Sequence, residues 1–387
     1  MEARNAGDSE GLAVKTRTLD IGVFGIRTIP STYSGYETFC TVLLPELVRR
    51  GHKVTLYARE SVGARETYEG VEKIGLPSIP TKQLDTLSHS VSSAIVSRAR
   101  RHDVVLSFNV ANAPALALVT KTGTPTVLNV DGQEWIRGKW GTGAKRVFYE
   151  CAKMSKNCAT ALVTDCNAMA DIYRDQFGAE SEVIPYCWTG LVDEEHRVPA
   201  DDEYLQKMNL ENRKYLVTGG RLIPENHIAE ITRSLVESDV DLPIAVLGAA
   251  NYDSPVVHEL NELADQDDRV RLLGHIGDRR EYGVLLRDAA MYLHGHSVGG
   301  INPSIVEAMG VGAVISAFDT PFNREGAGEV GHFFPDPSTA VENSKYLLDE
   351  DSESRRQSAM QRVRDNFSLK AIVDQYEGLL QSTAQGR

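Results

Sequence analysis

The run HGHSVGGINPSIVEAMGVG, residues 294–312, sets two histidines and a glycine pair ahead of a Pro-Ser step and an apolar stretch carrying one acid. The chemistry it suits is the binding of a phosphorylated ligand. Gly299 and Gly300 let backbone approach a bound molecule closely. Pro303 fits the first turn of a helix, with Asn302 or Ser304 as its cap. The free N–H groups of that helix start then form an anion site. Glu307 lies four residues beyond the start. A carboxylate there can accept two hydrogen bonds from a vicinal diol, although a glutamate near a helix start is also favoured by the dipole alone. His294 and His296 share the loop, yet with His227 and His275 they lack the spacing of a metal site.

Two more stretches have the same character. TGGRLIPENH, residues 218–227, follows a strand; Gly220 permits close backbone approach, and Arg221 just past the strand can clamp a diphosphate with its guanidinium fork. GIRTIPSTYSGYETF, residues 25–39, runs from a strand through a Gly/Pro/Ser loop to a helix start at Gly35. Its spacing is not that of the dinucleotide fingerprint, and such turns recur in every α/β protein. Two Asp-x-Asp triplets, Asp265/Asp267 and Asp349/Asp351, read as solvated connections at helix ends rather than Mg²⁺ sites.

The elements that must position these residues alternate along the chain. Strands are expected over 19–27, 52–59, 103–108, 125–130, 160–164 and 181–186, with helices at 36–51, 112–121, 140–156 and 167–177 between them. A polar, acid-rich break at 189–204 reads as an interdomain linker. The alternation then restarts, with strands at 214–221, 243–248, 270–274, 289–295 and 313–318 and a helix at 303–310. Further helices follow at 337–348, 352–365 and beyond Ser368. Two such runs predict an α/β fold of two doubly wound domains, with ligands held in the cleft between them. The expected division is a disordered lead at 1–18, a first domain at 19–190, a second at 191–367 and a closing helix at 368–387.

Composition narrows the functions. A chain of 387 residues is long for one core. A net charge of −13 argues against nucleic-acid binding. No apolar run is long enough for a membrane span, and the first residues lack the apolar core of a signal peptide, so a cytoplasmic location is expected. The cysteines 40, 151, 158, 166 and 187 show no paired spacing and read as buried free thiols. Residues 137–156 oppose the global charge: Arg137, Lys139, Lys145, Arg146, Lys153 and Lys156 accompany one acid, Glu150, with aromatics interleaved. This is either a dock for an anionic membrane or a solvated helix face.

Taken together, GVFGIRTIPSTYSGYETF, ELVRRGHKVTLYAR, LNVDGQEW, GGRLIPEN, GHSVGGINPSIVEAMGVGAVISAFDTPFNRE and GHFF resemble the family 4 glycosyltransferases, and among them the bacterial rhamnosyltransferases. The resemblance runs from about residue 19 to 383. It implies the GT-B fold, two Rossmann-like domains facing a cleft with a C-terminal helix crossing back to the first. It also implies a nucleotide-diphosphate sugar donor, retention of anomeric configuration, and no metal or other cofactor. By position, Gly35 and its neighbour Ser34 line the first-domain side of the diphosphate, Arg221 binds it from the second domain, and Glu307 holds the ribose. Asp131 falls where the family places a sugar-contacting residue.

Three positions depart from the family pattern. The first acid of the family's E-x7-E pair is Gly299 here. The lysine that often follows the diphosphate arginine is Asn226, and the first of the paired glycines near the N-terminal loop is Ser34. The first two changes resemble the rhamnosyltransferases, and a 6-deoxy sugar presents fewer hydroxyls to read. The expected reaction moves a sugar, with rhamnose favoured, from dTDP or UDP to a hydroxyl of a glycan or lipid-linked acceptor at the inner membrane face. A nucleotide-sugar epimerase of the same fold and a non-catalytic sugar-nucleotide-binding protein remain as alternatives.

Overall fold

The computed structural model describes residues 17–30, 35–79, 85–138, 140–188, 190, 198–249, 254–348 and 352–386. The expected lead, save its last two residues, lies outside these, as do Ser34, Lys139, Asp349, Asp351 and much of the linker.

The first domain runs β1 (Asp20–Phe24), α1 (Gly35–Arg49), β2 (Lys53–Ala58), β3 (Arg65–Tyr68), β4 (Val71–Gly75), α2 (Asp85–Arg100), β5 (Val104–Phe108), α3 (Ala113–Thr120), β6 (Thr126–Asn129), α4 (Thr142–Cys158), β7 (Ala161–Thr164), α5 (Asn167–Phe177) and β8 (Glu182–Val183). Its strands order as β3-β4-β2-β1-β5-β6-β7-β8, parallel except for the β3–β4 hairpin. Helices cover both faces, so the central strands are buried throughout and read as apolar runs. In α1, Phe39, Leu43 and Leu47 recur at helical spacing and face the sheet, and Arg49 supplies a basic last turn.

The second domain runs α6 (Pro199–Lys207), β9 (Leu216–Gly219), α7 (Ile228–Val236), β10 (Ile244–Leu247), α8 (Pro255–Gln266), β11 (Val270–Gly274), α9 (Arg279–Arg287), β12 (Met291–His294), α10 (Pro303–Gly310), β13 (Ile315–Phe318), α11 (Pro321–Ala327), β14 (Gly331–Phe334), α12 (Ala340–Ser344) and α13 (Ser352–Asn366). Its parallel sheet orders as β11-β10-β9-β12-β13-β14.

The last helix, α14 (Leu369–Gln385), packs on the first sheet. Its Tyr376 hydroxyl accepts from Asn129 Nδ2 at 3.0 Å, and Arg50 of α1's end donates to Asp374 and Glu377 at 2.6 and 2.7 Å. Where the chain leaves and re-enters the first domain, Trp188 N donates to Phe367 O at 2.7 Å.

Several elements depart from the periodicity reading. The region 60–102 holds the β3–β4 hairpin and α2, none of them expected. The buried face of α2 is His89, Ser90, Ser93, Ala94 and Ser97, which carries almost no apolar signal. The acid-rich break contains α6, with Asp201 buried against Arg280 and Arg287, so that acid is a packed ion partner rather than a solvated one. A single 3₁₀ turn at Pro224–Asn226 separates β9 from α7, which begins at Ile228. All five cysteines are buried and unpaired.

Candidate active site between two sheet switch points

In each sheet the chain reverses its direction of growth once, and ligands bind beyond the strand ends there. The second sheet reverses between β9 and β12, and the first between β1 and β5. Arg221 follows β9, the His294–Gly300 loop follows β12, and the loop leading to Gly35 follows β1. The three stretches singled out by residue type therefore converge at the two switch points.

On the second-domain lip, Arg221 is exposed while Asn226 and His296 are buried. Asn226 Nδ2 donates to Arg221 O at 2.7 Å, which fixes its amide orientation. Its Oδ1, 2.9 Å from His296 Nδ1, must then accept, so the imidazole carries its proton on Nδ1 and presents Nε2 as the basic nitrogen. Burial holds His296 well below the usual histidine range, helped by the charges of Arg137 and Arg221. Asn226 thus aligns Arg221's backbone with the His296 ring, and Gly220 lies against its amide: a Cβ on Gly220 would stand 3.1 Å from Asn226 Nδ2.

A second chain of hydrogen bonds seats the start of α10. Asn302 Oδ1 accepts from Ser304 N at 3.1 Å and from Ser304 Oγ at 2.9 Å. Tyr292 Oη donates to Ser304 Oγ at 3.2 Å and faces His294 Nδ1 at 3.0 Å. Asn302 is therefore the cap, and β12 is tied to the helix start. Burial lowers His294 to about 3, so it too is neutral. Glu307 is half-buried, and burial raises its carboxyl against the pull of Arg279, whose Nη2 lies 2.5 Å from Glu307 Oε1.

The first-domain lip presses on this assembly. A Cβ on Gly35, at the start of α1, would lie 3.1 Å from Pro303 Cγ, so the N-terminal ends of α1 and α10 abut across the cleft. A Cβ on Gly299 would lie 3.0 Å from Gln133 N and 3.1 Å from Arg137 Nη2. The position where the family pattern has an acid is thus pressed against the loop after β6. Glu225 reaches the same loop and accepts from Gly138 N.

Asp131 follows β6, and Asp165 follows β7. Tyr36 Oη donates to Asp131 O at 2.5 Å, and Tyr186 Oη donates to Asp131 Oδ2 at 2.7 Å. Asp165 Oδ2 accepts from Ile301 N of the second domain at 2.5 Å. Gly300, at φ 84°, sits over both acids: a Cβ there would fall 2.3 Å from Asp131 Oδ1 and from Asp165 Oδ2. Burial pushes both carboxyls above the usual range, against the pull of Tyr186 and Arg137 on Asp131.

Residues 34–187 match the glycosyl transferase 4-like domain. A curated relative, the GtfA subunit of the UDP-N-acetylglucosamine–peptide N-acetylglucosaminyltransferase of Streptococcus pneumoniae, is 26% identical over 134 residues. That match covers 33% of this chain and 26% of the relative, so the shared stretch is about a quarter of the relative's length. Among solved structures, sucrose-phosphate synthase of Thermosynechococcus elongatus superposes with a TM-score of 0.79 at 16% identity, over 96% of this chain and all of that one. Anabaena HepE in complex with UDP gives 0.72 at 16% over 94% of this chain and 100% of its own. The UDP-forming α,α-trehalose-phosphate synthase of Burkholderia vietnamiensis gives 0.73 at 10% over 95% and 99%. The fold is GT-B, two parallel-sheet α/β domains facing a cleft.

The structure brings together Gly35, Asp131, Gly299, Gly300, Asn302 and Ser304 at the domain contact, with Gly220, Arg221, Asn226 and His296 beside them on the second lip. Glu307 lies one helical turn inside α10. The sequence reading missed Asp165, Glu225, Arg137 and Arg279. Asp165 had a visible signal: like Asp131, it is an acid just past the end of an expected strand. The basic stretch needs correction at its start. Arg137 is buried beside Glu134, its Nε 2.8 Å from Glu134 Oε1, and Trp135 packs edge-on against Tyr173 and Phe177. These two belong to the cleft and core, whereas Arg146 and Lys153 are exposed on α4. Among the described residues no group of three or more His, Cys, Asp or Glu is placed to hold a metal ion. No helix among them is long and apolar enough to cross a membrane.

Proposed function

We propose that this protein is a glycosyltransferase that moves a sugar from a nucleoside diphosphate to a hydroxyl acceptor with retention at the anomeric carbon. One observation carries the reading: the N-terminal ends of α1 and α10 meet at Gly35 and Pro303, with Arg221 on the adjoining lip. Two helix ends of like partial charge facing each other favour an anion between them. Breaking the bond from C1 to the phosphate oxygen builds negative charge on the departing diphosphate. The amides of α10's first turn and the Arg221 guanidinium stabilise that charge without a resident metal or other cofactor. Retention without a positioned nucleophile fits attack from the leaving-group face, with the phosphate oxygen taking the acceptor's proton. Domain closure excludes water and suppresses hydrolysis.

The donor is dTDP- or UDP-linked, and the UDP in the HepE complex supports a nucleotide of this class. Rhamnose is the sugar favoured by the motif resemblance and by Gly299, which offers no carboxylate to read a sugar hydroxyl. The acceptor is a glycan or lipid-linked sugar in cell-surface polysaccharide synthesis, met on the cytoplasmic side of the membrane. Exposed Val147 and Met154 beside Arg146 and Lys153 on α4 support a peripheral contact with anionic lipid.

The test is incubation with a panel of labelled dTDP- and UDP-sugars, with and without membrane lipid extract. Transfer that depends on the extract is the expected result. Release of an altered nucleotide sugar without acceptor would make the protein an epimerase. Saturable donor binding with no product under any condition would make it a binding protein and end the proposal.

A further inference from the structure

Asp131 and Asp165 meet at the domain contact, and their oxygens can be accounted for one by one. Asp131 Oδ2 accepts from the Tyr186 hydroxyl, and Asp165 Oδ2 accepts from the Ile301 amide across the interface. The two remaining atoms, Asp131 Oδ1 and Asp165 Oδ1, are both sealed from solvent and both lack a well-formed hydrogen-bond partner. A Cβ on Gly300 would stand 2.3 Å from the first and 2.6 Å from the second, so both bare oxygens border one small volume. Two buried carboxylate oxygens facing each other with no donor are costly. A single proton between them satisfies both.

We infer that Asp131 and Asp165 share one proton as an acid pair, and that Asp165 is a positioning residue which uses this pair to hold the Gly299–Ile301 loop against the first domain. The inference deepens the glycosyltransferase reading, because the loop it holds leads directly into α10. With the proton in place, Asp165 keeps Oδ2 for Ile301, and Gly300 has room over the pair only because it has no side chain. With the proton lost, two negative charges share a site that burial disfavours for even one.

The surrounding groups do not supply an alternative partner. Arg137 and Glu134 come from the loop after β6, Tyr36 from α1, Tyr173 from α5, Tyr186 from the segment after β8 and Tyr376 from α14. Tyr36 and Tyr173 direct their hydroxyls to backbone carbonyls, and that of Tyr376 meets Asn129. The Arg137 charge and the Gly132 amide act on Asp131 and the Cys166 thiol on Asp165; all three favour the ionised form, and burial outweighs them. Both acids are raised, so the folded protein keeps a proton that unfolded carboxylates release near pH ~4. Stability from the pair is therefore complete below that pH and is lost as pH rises through the folded value.

The infrared and unfolding measurements need no nucleotide, so a failure of the glycosyltransferase reading would leave them decisive. Infrared spectra of the wild-type protein at neutral pH should show the C=O stretch of a protonated carboxyl, and either Asp131→Asn or Asp165→Asn alone should remove it. In urea melts, the wild-type unfolding constant should carry a component rising up to ~10-fold per pH unit above pH ~4, absent from Asp165→Asn. Asp165→Asn also supplies an N–H to Asp131 Oδ1 and keeps an oxygen for Ile301, so it should bind UDP as the wild type does but without pH dependence. Asp165→Leu should lose at least ~10-fold in UDP affinity, the equivalent of one hydrogen bond to a buried charge. The inference is overturned by a wild type with no such band, by a band that survives in Asp165→Asn, or by purified protein carrying a divalent cation at the pair.

Discussion

Glu325 of the second domain caps a helix of the first: its Oε1 accepts from Asn167 N and from Asn167 Nδ2, each at 2.7 Å, and its Oε2 accepts from Ala168 N at 3.0 Å. The residue before α5, Cys166, provides no side-chain cap of its own. The helix start is thus satisfied only when the two domains are together. Replacing Glu325 with Ala should cost about 1 kcal/mol, the usual worth of a helix cap. The loss should appear as weaker domain closure in small-angle scattering and a lower urea midpoint. A midpoint and scattering profile equal to the wild type would show that the cap contributes nothing to closure.

Arg221→Ala tests the electrostatic part of the proposed reaction. Removing a preformed charge from the leaving diphosphate should lower kcat by at least ~10²-fold. Arg221→Lys should recover only part of this, because a point charge lacks the guanidinium fork. Near-normal turnover of the alanine variant would remove the role.

Gly300→Ala and Gly378→Ala should move in opposite directions. Gly300 has φ 84°, and its Cβ would strike both aspartates. The strain of about 1–2 kcal/mol and the clash both fall on the closed form, so donor affinity should drop at least ~10-fold while the melting temperature of the open protein changes little. Gly378 lies exposed within α14 with open space around it. Alanine there should stabilise the chain by about 0.5–1 kcal/mol. A Gly300→Ala protein with unchanged donor affinity would refute the closeness of the loop and the acids.

Acid should destabilise the fold through the two cleft histidines. Both His294 and His296 are held neutral by burial, His294 down to about 3. Each contributes stability that is complete above the unfolded value near 6.5 and is lost as pH falls below it, by up to ~10-fold per pH unit in the unfolding constant. This runs opposite to the aspartate pair. His294→Gln should therefore flatten the acid limb of urea midpoints measured between about pH 4 and 7. An acid limb as steep as the wild type would mean that His294 titrates normally.

Much of this arrangement was legible in the residues, and the exceptions have physical causes. The 303–310 helix and the 167–177 helix match α10 and α5, because Pro303 and Asn167 stand just inside clear starts and apolar residues recur behind them. The helix α2 was illegible because its buried face is made of serines and a histidine, whose packing depends on partners far along the chain. The acids were legible one at a time. Asp131 was marked by its motif, but nothing in the sequence says that the ends of β6 and β7 stand side by side, which is what makes Asp165 its partner. Arg137 was misassigned because a charge count cannot tell a surface arginine from one turned inward beside Glu134.

The C-terminal helix has a consequence for how the molecule is made and moves. Since α14 completes the core against α1 and Asn129, the first domain is a broken unit with the second spliced into it. A ribosome finishes the second domain's strands before it supplies the piece the first is waiting for, so the N-terminal sheet must persist half-covered until α14 emerges. The two passages between the units are also stitched together, Trp188 to Phe367. A door hung on two adjacent pins swings but does not twist, and the two lips should meet in the same register each time they close.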